Sequence, residues 1–422
     1  MAQDEYLGRE QMQIPETAPT GEGETGVGEL GTPTADVTGA PVLKVVPAVA
    51  VSETYDTNVL LVAGQQKEDY VTRITPQVTA EVRGRLMSGT LQAGLTGAFY
   101  VRNPDLDYVG VNGGFNLNLD NLVNRVVPRL KIQVSDFVAY TPQPPAFLNP
   151  EARSAGQSDI FGRGIQVARA DSVQNTSTIT GAYSLLPRVS LRAGYSYSFI
   201  KFFNKFATPD AGTFVDTTSH SANLGVQTAV TRQDNLGVVY TYSLSSFGQS
   251  TGGVGSYTSH SGTLTWAHQF SRTLSGNLGG GATLAVPDSG PTSLNFTGSA
   301  NLTWVQGKIP FSFNLSRAIT PSYYVAGTAL ISDTVSLSAG YPLTPRLSAT
   351  GSANYAQSSS SFTGTSLDFY SVGGTVGLSY VLIRGISANL IYTYNHFKQD
   401  FQGVNSEFDR HLATFAISGV WR

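Results

Sequence analysis

Apolar and polar residues alternate along most of the chain, and residues 294–304 show this pattern most clearly. Every second position of the segment is apolar or small: Leu294, Phe296, Gly298, Ala300, Leu302 and Trp304. The positions between them are polar and uncharged: Asn295, Thr297, Ser299, Asn301 and Thr303. Successive side chains of a β-strand face opposite sides, so the segment predicts a strand with one apolar and one hydrogen-bonding face. Its length of about eleven residues is what a tilted strand needs to cross a bilayer.

A soluble sheet with one wet face alternates in the same way, so the repetition of the pattern carries the prediction. It recurs in about eighteen segments, with approximate bounds 42–55, 69–83, 89–102, 108–120, 129–141, 174–186, 188–202, 217–231, 235–248, 256–270, 273–286, 292–306, 308–320, 328–341, 346–358, 366–382, 385–399 and 407–422. An even number of strands places both ends of a barrel on one side of the membrane. The pattern therefore predicts an all-β fold, a transmembrane antiparallel up-and-down β-barrel of about 18 strands.

The connections between the predicted strands are of two kinds. Those after even-numbered strands are mostly short and contain arginine, as in Pro128-Arg129 and Pro187-Arg188, whereas those after odd-numbered strands are longer. Short periplasmic turns and longer outer loops are typical of bacterial outer-membrane barrels. Aromatic residues also fall late on strands of both directions, which predicts two interfacial belts. We therefore place the barrel in a Gram-negative outer membrane with both termini in the periplasm.

The composition favours the same class of protein and argues against an enzyme. Charged residues make up 13% of the chain, about half the usual share, and there is no cysteine. The sequence has no run of about 18 apolar residues, the length that would predict a membrane helix. The five histidines show no metal-ligand spacing, and no basic stripe suggests a nucleic-acid partner. We expect no catalytic residues, no metal site and no cofactor.

Residues 1–40 differ from the rest of the chain. They are rich in glutamate, glycine, proline and threonine, and carry eight acidic residues against Arg9 alone. Such a segment buries too little apolar surface to offset the loss of chain entropy. We predict a disordered acidic periplasmic segment over residues 1–40, followed by a barrel domain over 41–422. The alternative is an acidic tether that docks a periplasmic partner or enters the barrel mouth.

The inward positions of the predicted barrel are mainly serine, threonine, asparagine, glutamine and glycine. A barrel of this size is too wide for side chains to fill, so its lumen holds water, a plug or cargo. A neutral lining suits carbohydrates and other uncharged polar solutes, although such residues are also the default wet face of any barrel. Four of the predicted inward charges are assigned to a pore or constriction: Arg73, Glu81, Arg83 and Arg192.

The connection over about 142–173 is the longest in the predicted barrel. Loops of this length are usually functional or disordered. It contains several charged residues that we also assign to the constriction: Glu151, Arg153, Asp159, Arg163, Arg169 and Asp171. Folded inward, the loop would narrow the pore and set a transverse field. Folded outward, it would be a surface loop.

Two prolines fall inside predicted strands. Pro47 lies in the first strand and Pro76 in the second, almost opposite each other. Proline cannot donate a hydrogen bond to a sheet ladder. We therefore predict a bulge or gap between the first two strands.

Two short motifs occur in the first two predicted strands, Tyr55-Asp56-Thr57-Asn58 and Ile74-Thr75-Pro76. They resemble the Tyr-Asp-x-Asn stretch and the Ile-x-Pro that open a family of outer-membrane β-barrel porins associated with exopolysaccharide or capsule export. The resemblance covers about thirty residues. It implies a polymer exit pore that works with periplasmic and inner-membrane partners and has no catalytic residues.

The sequence therefore predicts an outer-membrane porin-like conduit. Its expected role is passive export of an exopolysaccharide or another neutral polar polymer, gated by the long loop or by a periplasmic export partner at residues 1–40. One alternative is a general or sugar-preferring diffusion porin. The other is a non-transporting barrel that serves as a scaffold or sheath for a partner protein. The expected contacts are outer-membrane lipid, polysaccharide cargo and the export partner, with no nucleic acid.

Overall fold

The computed structural model describes residues 42–64, 66–141, 171–203, 214–248, 255–323, 327–362, 367–401 and 404–421. They form one antiparallel sheet in which each strand pairs with its neighbours in the chain, and β1 also pairs with β18 to close a barrel. The strands are β1 (Val42–Asp56), β2 (Asp69–Arg83), β3 (Ser88–Tyr100), β4 (Tyr108–Asn118), β5 (Leu130–Thr141), β6 (Asp171–Leu186), β7 (Val189–Phe203), β8 (Thr217–Ala229), β9 (Asp234–Phe247), β10 (Ser256–Gln269), β11 (Leu274–Pro287), β12 (Ser293–Gln306), β13 (Ile309–Pro321), β14 (Ala329–Pro342), β15 (Leu347–Ser360), β16 (Leu367–Ile383), β17 (Ile386–Phe401) and β18 (Val404–Val420).

The predicted fold class is confirmed, and the alternation located the strands well. No predicted strand end differs from the observed one by more than three residues. The largest differences are at β6 and β18, each of which begins three residues earlier than predicted. The acidic segment 1–40 and most of the long connection, residues 142–170, lie outside the described residues.

The two ends of the barrel differ in their connections. We call the end with the connections after even-numbered strands, where β1 starts and β18 stops, the turn end, and the opposite end the loop end. Seven of the eight connections at the turn end have two to four residues. The exception is 119–129, which contains the short helix α1 (Asp120–Val123). Among the described residues, no helix is both long and apolar enough to cross a membrane.

Alternation gives the barrel two chemically different faces. The outward face is apolar and open, and Leu294 and Phe296 of β12 are 70% and 83% exposed. One group of outward aromatic residues lies about halfway along the strands and includes Tyr195, Tyr240 and Tyr392, each six residues from the turn-end start of its strand. Those near the turn end include Phe270, Trp304, Tyr341, Tyr380 and Trp421. The two groups form the aromatic belts that flank the apolar band of a membrane barrel.

The predicted bulge between β1 and β2 is wrong. The two strands pair without a register shift from Val42 with Arg83 to Asp56 with Asp69. In an antiparallel sheet, the N–H and C=O groups of one residue point toward the same adjacent strand. The carbonyl of Pro47 accepts a hydrogen bond from the backbone N–H of Trp421, so its missing donor faces β18.

The backbone nitrogen of Pro76 faces β3, on the other side of β2. The β2–β3 pairing skips Thr75 and Pro76 and continues beyond them in the same register. Both prolines therefore stand where their missing donors face away from the β1–β2 ladder. The predicted bulge is wrong because a missing N–H group disturbs only the strand pair that it faces, and neither proline nitrogen faces the β1–β2 pair.

Candidate functional site: the lumen and the loop-end mouth

A buried ion pair joins the first and last strands inside the barrel. Asp56 is the last residue of β1 and Arg410 lies on β18; their side chains are 2% and 9% exposed. The Arg410 Nε atom lies 2.9 Å from Asp56 Oδ1, and the Arg410 Nη2 atom donates to the second carboxylate oxygen. A two-point contact of this kind fixes geometry as well as charge.

Further inward side chains extend this pair across the closure. The hydroxyls of Thr54 and Thr414 lie 2.9 Å apart, and Arg73 of β2 donates to Thr54 Oγ1 over 3.3 Å. Arg73 is 5% exposed. We call the inward face of β18, β1 and β2 the seam wall. Its polar groups contact one another across β1 and β18, which among the described strands are the only paired strands that do not follow each other in the chain.

The Tyr-Asp-x-Asn motif builds the connection that follows β1. The Asp56 carboxylate accepts the backbone N–H of Asn58 over 3.0 Å. The Asn58 side chain donates to the carbonyl of Val62 over 2.9 Å and accepts that residue's N–H. Asn58 is fully buried. Asp56 and Asn58 therefore hold loop 57–68 against the barrel while Asp56 also binds the closing strand.

Loop 101–107 is fixed to the same region by carboxylates. The buried Asp69 accepts the backbone N–H groups of Tyr70, Arg102 and Asn103, and Asn103 also donates through its side chain. Tyr100 donates its backbone N–H to Asp107 over 2.7 Å. Because each carboxylate replaces backbone partners that a loop lacks, these contacts order the connection.

The exposed Glu68 ties the two loops together. Its carboxylate accepts a hydrogen bond from the Tyr55 hydroxyl and another from Arg102. These hydrogen bonds lower the pKa of the Glu68 carboxyl, and the one from Tyr55 has the larger effect. The hydrogen bond between Arg102 and Glu68 raises the pKa of Arg102. The guanidinium carbon of Arg102 also lies 5.5 Å from the ring centre of Tyr70.

Apolar residues of these loops pack on the inner wall at the loop end. Val59 of loop 57–68 and Leu106 of loop 101–107 join four inward residues in one buried cluster: Val71, Ala98, Tyr100 and Tyr108. A second cluster lies across the barrel and contains Val215, Phe247, Tyr257 and Ala329, with Ile319 and Phe362 packed against it. The described connections therefore narrow the mouth from two sides.

The inward face of β8–β17, which we call the neutral wall, has a different chemistry. Alternation places only uncharged side chains at its described inward positions. Hydroxyl and carboxamide groups on it form ladders between strands. Representative contacts are Ser219–Ser245 at 3.1 Å, Ser221–Ser243 at 3.0 Å, Ser261–Thr283 at 2.9 Å, Thr320–Ser332 at 3.2 Å and Ser332–Ser358 at 2.8 Å.

The structure places the predicted constriction residues at separate heights and on separate parts of the wall. Arg73 lies toward the loop end within the seam wall. Glu81 and Arg83 lie at the turn end of β2, where Arg83 Nη2 and Glu81 Oε2 are 3.7 Å apart. Arg192 faces inward near the turn end of β7, and its Nε forms no hydrogen bond among the described residues.

The remaining members of the predicted set belong to the long connection. Asp171 is the first residue of β6, is buried, and shares the alternation of the outward Ile179. Glu151, Arg153, Asp159, Arg163 and Arg169 lie outside the described residues. The described charges of this set do not form one ring. Asp56 is named in the sequence analysis within a motif, but its ion pair with Arg410 is not predicted there. Alternation places both side chains inward, near the loop ends of β1 and β18, which are neighbours in the closed barrel.

The histidines lie on the lipid-facing side of the barrel. His220, His260, His268, His396 and His411 all share the alternation of outward tyrosines or leucines. Among the described residues, no three histidine, aspartate or glutamate side chains form a group that could hold a metal.

This architecture defines the class of protein. An apolar outer band, two aromatic belts and a polar interior in a closed 18-stranded barrel are the features of a bacterial outer-membrane porin. The chain is therefore a porin-like barrel of the bacterial outer membrane, in contact with its lipid.

The family comparison agrees with this class. Residues 292–417, from the start of β12 into β18, match the model of the family described as "Putative beta-barrel porin 2". The match does not include residues 47–76, which carry the two motifs of the first strands. A search of curated proteins finds no match.

The solved structures to which the chain is similar at low identity include the following three. Pseudomonas aeruginosa OccK2 (OpdF) is 13% identical, over 90% of this chain and 98% of that chain, with a TM-score of 0.46. Outer membrane protein opdK from Pseudomonas aeruginosa is 12% identical over 90% and 99%, with a TM-score of 0.46. The FrpB iron transporter from Neisseria meningitidis (F5-1 variant) is 10% identical over 89% and 82%, with a TM-score of 0.45. Likeness at this level leaves the solute open.

Proposed function

We propose that this protein is a passive conduit for uncharged, hydroxyl-rich solutes, and that its principal cargo is an exopolysaccharide or another neutral polar polymer. The neutral wall carries the proposal. Ten consecutive strands present hydroxyl and carboxamide groups to the lumen, and their described inward positions carry no charge. The resemblance of the first two strands to porins of polysaccharide export supports the choice of cargo.

A neutral hydrogen-bonding wall suits carbohydrate for a physical reason. A sugar hydroxyl both donates and accepts, and so do the hydroxyls and carboxamides of serine, threonine and asparagine. Each can exchange a contact with water for a contact with the solute at little net cost. The described part of this wall has no fixed charge that would bind the solute strongly at one place, so the solute can move along it.

The proposed orientation follows from the connections. The turn end has short connections and the loop end has longer ones, so the turn end and both termini face the periplasm. Cargo would enter at the turn end and leave at the loop end. There it passes the two apolar clusters. The loops of the first cluster, 57–68 and 101–107, are held in place by Asp56, Asn58 and Asp69.

Two features bear on regulation, and residues 142–170 of one and residues 1–40 of the other lie outside the described residues. The connection 142–173 stays a predicted gate, and the acidic segment 1–40 stays a predicted contact for a periplasmic export partner. An open diffusion porin for small sugars is the second candidate. The wide 18-stranded lumen favours it, because a barrel of this size is not filled by its own side chains.

Single-channel recording in a planar bilayer tests the proposal and separates the candidates. We expect the full chain to conduct weakly, and a neutral linear oligosaccharide to reduce the current when it is added at the turn end. Deletion of residues 145–170 should raise the conductance. Large steady conductance with no block by the oligosaccharide would favour the diffusion porin. Silence of both proteins would count against any conduit.

A further inference from the structure

Three strand pairs carry the same arrangement of two tyrosines and one histidine on the outward face, about halfway along the strands. The β7–β8 module contains Tyr195, Tyr197 and His220; the β9–β10 module contains Tyr240, Tyr242 and His260; the β17–β18 module contains Tyr392, Tyr394 and His411. In each module the tyrosines alternate on the first strand as Tyr-x-Tyr. The histidine stands opposite the second tyrosine on the returning strand.

The side-chain geometry repeats as closely as the sequence. The hydroxyl of the first tyrosine lies 2.8 Å from the histidine Nδ1 in all three modules. The ring centres of the histidine and the second tyrosine are 5.0, 5.3 and 5.1 Å apart. The first tyrosines are 43%, 49% and 45% exposed. A generic aromatic belt needs aromatic residues at the interface, but it does not need this fixed histidine.

The hydrogen bond to Nδ1 sets what the histidine offers to its surroundings. A phenol hydroxyl is the better donor of the two groups, so the neutral imidazole accepts at Nδ1 and carries its proton on Nε2. The imidazolium also carries a proton there. Among the described residues, Nε2 of His220 and Nε2 of His260 make no hydrogen bond. The β7–β8 and β9–β10 modules therefore each present one N–H donor at a partly exposed aromatic surface that faces lipid.

The first two modules lie side by side, two strands apart and offset by two residues, so their histidines are separated by about 12 Å. Lys201 of β7 shares the outward alternation and adds a cation beyond Tyr197 toward the loop end. Asp136 lies on the same face three strands from His220, and its carboxylate accepts hydrogen bonds from Asn175 and Ser177. Asp216, four residues before His220, accepts the backbone N–H of Phe202.

The third module has a carboxylate where the first two have none. Asp409 lies two positions before His411 on the same face, and its Oδ1 atom is 2.7 Å from the Tyr394 hydroxyl and 3.0 Å from His396 Nδ1. Glu407 lies 3.8 Å from His396 Nε2. An anion at this module would meet two carboxylates. Among the described residues, the same arrangement therefore occurs twice with no carboxylate in contact with its rings and once with Asp409 bonded to the second tyrosine.

We propose that the β7–β8 and β9–β10 modules form a site for the phosphate-bearing headgroups of lipids in the leaflet at the loop end. The Nε2–H groups of His220 and His260 donate to phosphate oxygens, and the tyrosine rings contact the glycerol or sugar part of the headgroup. Tyr195 and Tyr240 fix the tautomer and orientation of the histidines. The β17–β18 module supplies the aromatic surface alone.

Native mass spectrometry of the folded full chain, with two competing lipids of identical acyl chains, tests the proposal. The probes are phosphatidic acid, which carries a phosphate monoester, and phosphatidylcholine. We expect the unmodified chain to retain phosphatidic acid preferentially. The double variant His220→Phe with His260→Phe keeps the ring packing and removes both donors. Its apparent affinity for phosphatidic acid should fall about tenfold, the scale expected for hydrogen bonds to a charged group.

Two further variants make the result specific. His411→Phe changes the matched residue of the third module and should leave phosphatidic acid binding within about twofold. Tyr195→Phe with Tyr240→Phe keeps both Nε2 atoms but releases their orientation, so we expect an intermediate loss. Heat-modifiable gel mobility shows that each variant is folded. Equal retention of the two lipids by the unmodified chain would overturn the proposal. So would unchanged binding in the histidine double variant, or an equal loss with His411→Phe.

Discussion

The seam wall and the neutral wall are built from the same strand geometry but use opposite chemistry. On the seam wall, Asp56, Arg410 and Arg73 are almost completely buried, and the two ends of the chain are joined by charge. On the neutral wall, ten strands present hydroxyls and carboxamides that are bonded in short ladders. Both walls lie inside one barrel, so the difference does not come from burial in membrane.

The difference shows how the barrel divides its tasks. Strands that are consecutive in the chain are held in register by their connecting turns. The β1–β18 pair has no such turn, because its partners come from opposite ends of the barrel domain. A buried ion pair with fixed geometry suits the purpose of setting this register. The neutral wall, whose register needs no such device, is left free for the solute.

The largest expected effect comes from breaking the seam ion pair. Asp56→Asn or Arg410→Met alone leaves a buried unpaired charge, and each should lower the free energy of unfolding by about 3–5 kcal/mol. The double variant should recover much of this loss, because neither charge remains. Urea unfolding of the barrel in micelles, followed by tryptophan fluorescence, measures both.

The matched control for the seam pair is the exposed pair of Arg317 and Asp333 on the outward face of β13 and β14, whose Nη1 and Oδ2 atoms are 3.1 Å apart. Removing Arg317 should cost no more than about 1 kcal/mol. Similar losses at the two pairs would show that burial at the seam has no special role.

A smaller effect is expected from close packing in the neutral wall. A Cβ atom added at Gly281 would lie 1.9 Å from the carbonyl oxygen of Gly262, whereas one added at Gly280 would have no atom within 4 Å. Gly281→Ala should therefore lower the free energy of unfolding by about 1–3 kcal/mol through backbone displacement. Urea unfolding of Gly280→Ala, the neighbour on the opposite face, provides the control, and an equal loss there would refute the steric explanation.

A change in ion selectivity should follow from Arg192, an inward cation between the two walls. Its Nε has no hydrogen-bond partner among the described residues. Arg192→Gln should shift the reversal potential under a salt gradient toward cation preference, because one fixed positive charge leaves the lumen. Arg188→Gln changes an arginine in the adjacent turn and should shift the reversal potential less. Equal shifts in the two variants would show that the inward position of Arg192 does not determine ion selectivity.

The smallest effect concerns the loop-end side of the seam. Hydrogen bonds from Tyr55 and Arg102 lower the pKa of Glu68, so this group stabilises the folded loops above its ordinary pKa and loses that effect as pH falls through its lowered value. Hydrogen exchange of loop 57–68, corrected for intrinsic rates, should stay constant from about pH 7 to 5 and rise below about pH 4. Glu68→Gln should remove this pH dependence, and a variant that keeps it would assign the effect to another group.

The sequence was enough to locate the strands, because alternation with a period of two residues can be read from one strand without knowing which strand it pairs with. It did not reveal the pair of Asp56 and Arg410 because their contact depends on closure between residues 354 positions apart in the chain. Inward parity near the loop ends of the first and last strands was the available signal. The prolines were misjudged for a related reason, since the direction of each backbone group depends on register with a particular neighbour.

The lipid-facing modules were visible in part. The position of aromatic residues along the strands predicts belts, but the histidine opposite each Tyr-x-Tyr segment depends on the register of the returning strand. The constriction was the least predictable feature. Residues spaced along one strand, such as Arg73 and Glu81, lie at different heights once the strand spans the membrane.

Liposome swelling tests the central claim most directly. The full chain would be reconstituted into liposomes, and swelling rates compared for a neutral hexose, the matching hexuronate and the matching amino sugar, which have nearly the same size. A wall without fixed charge predicts that the neutral sugar enters fastest and that the order is unchanged by moderate salt. Faster entry of either charged sugar, or no entry of any of the three, would contradict a conduit for uncharged hydroxylated solutes.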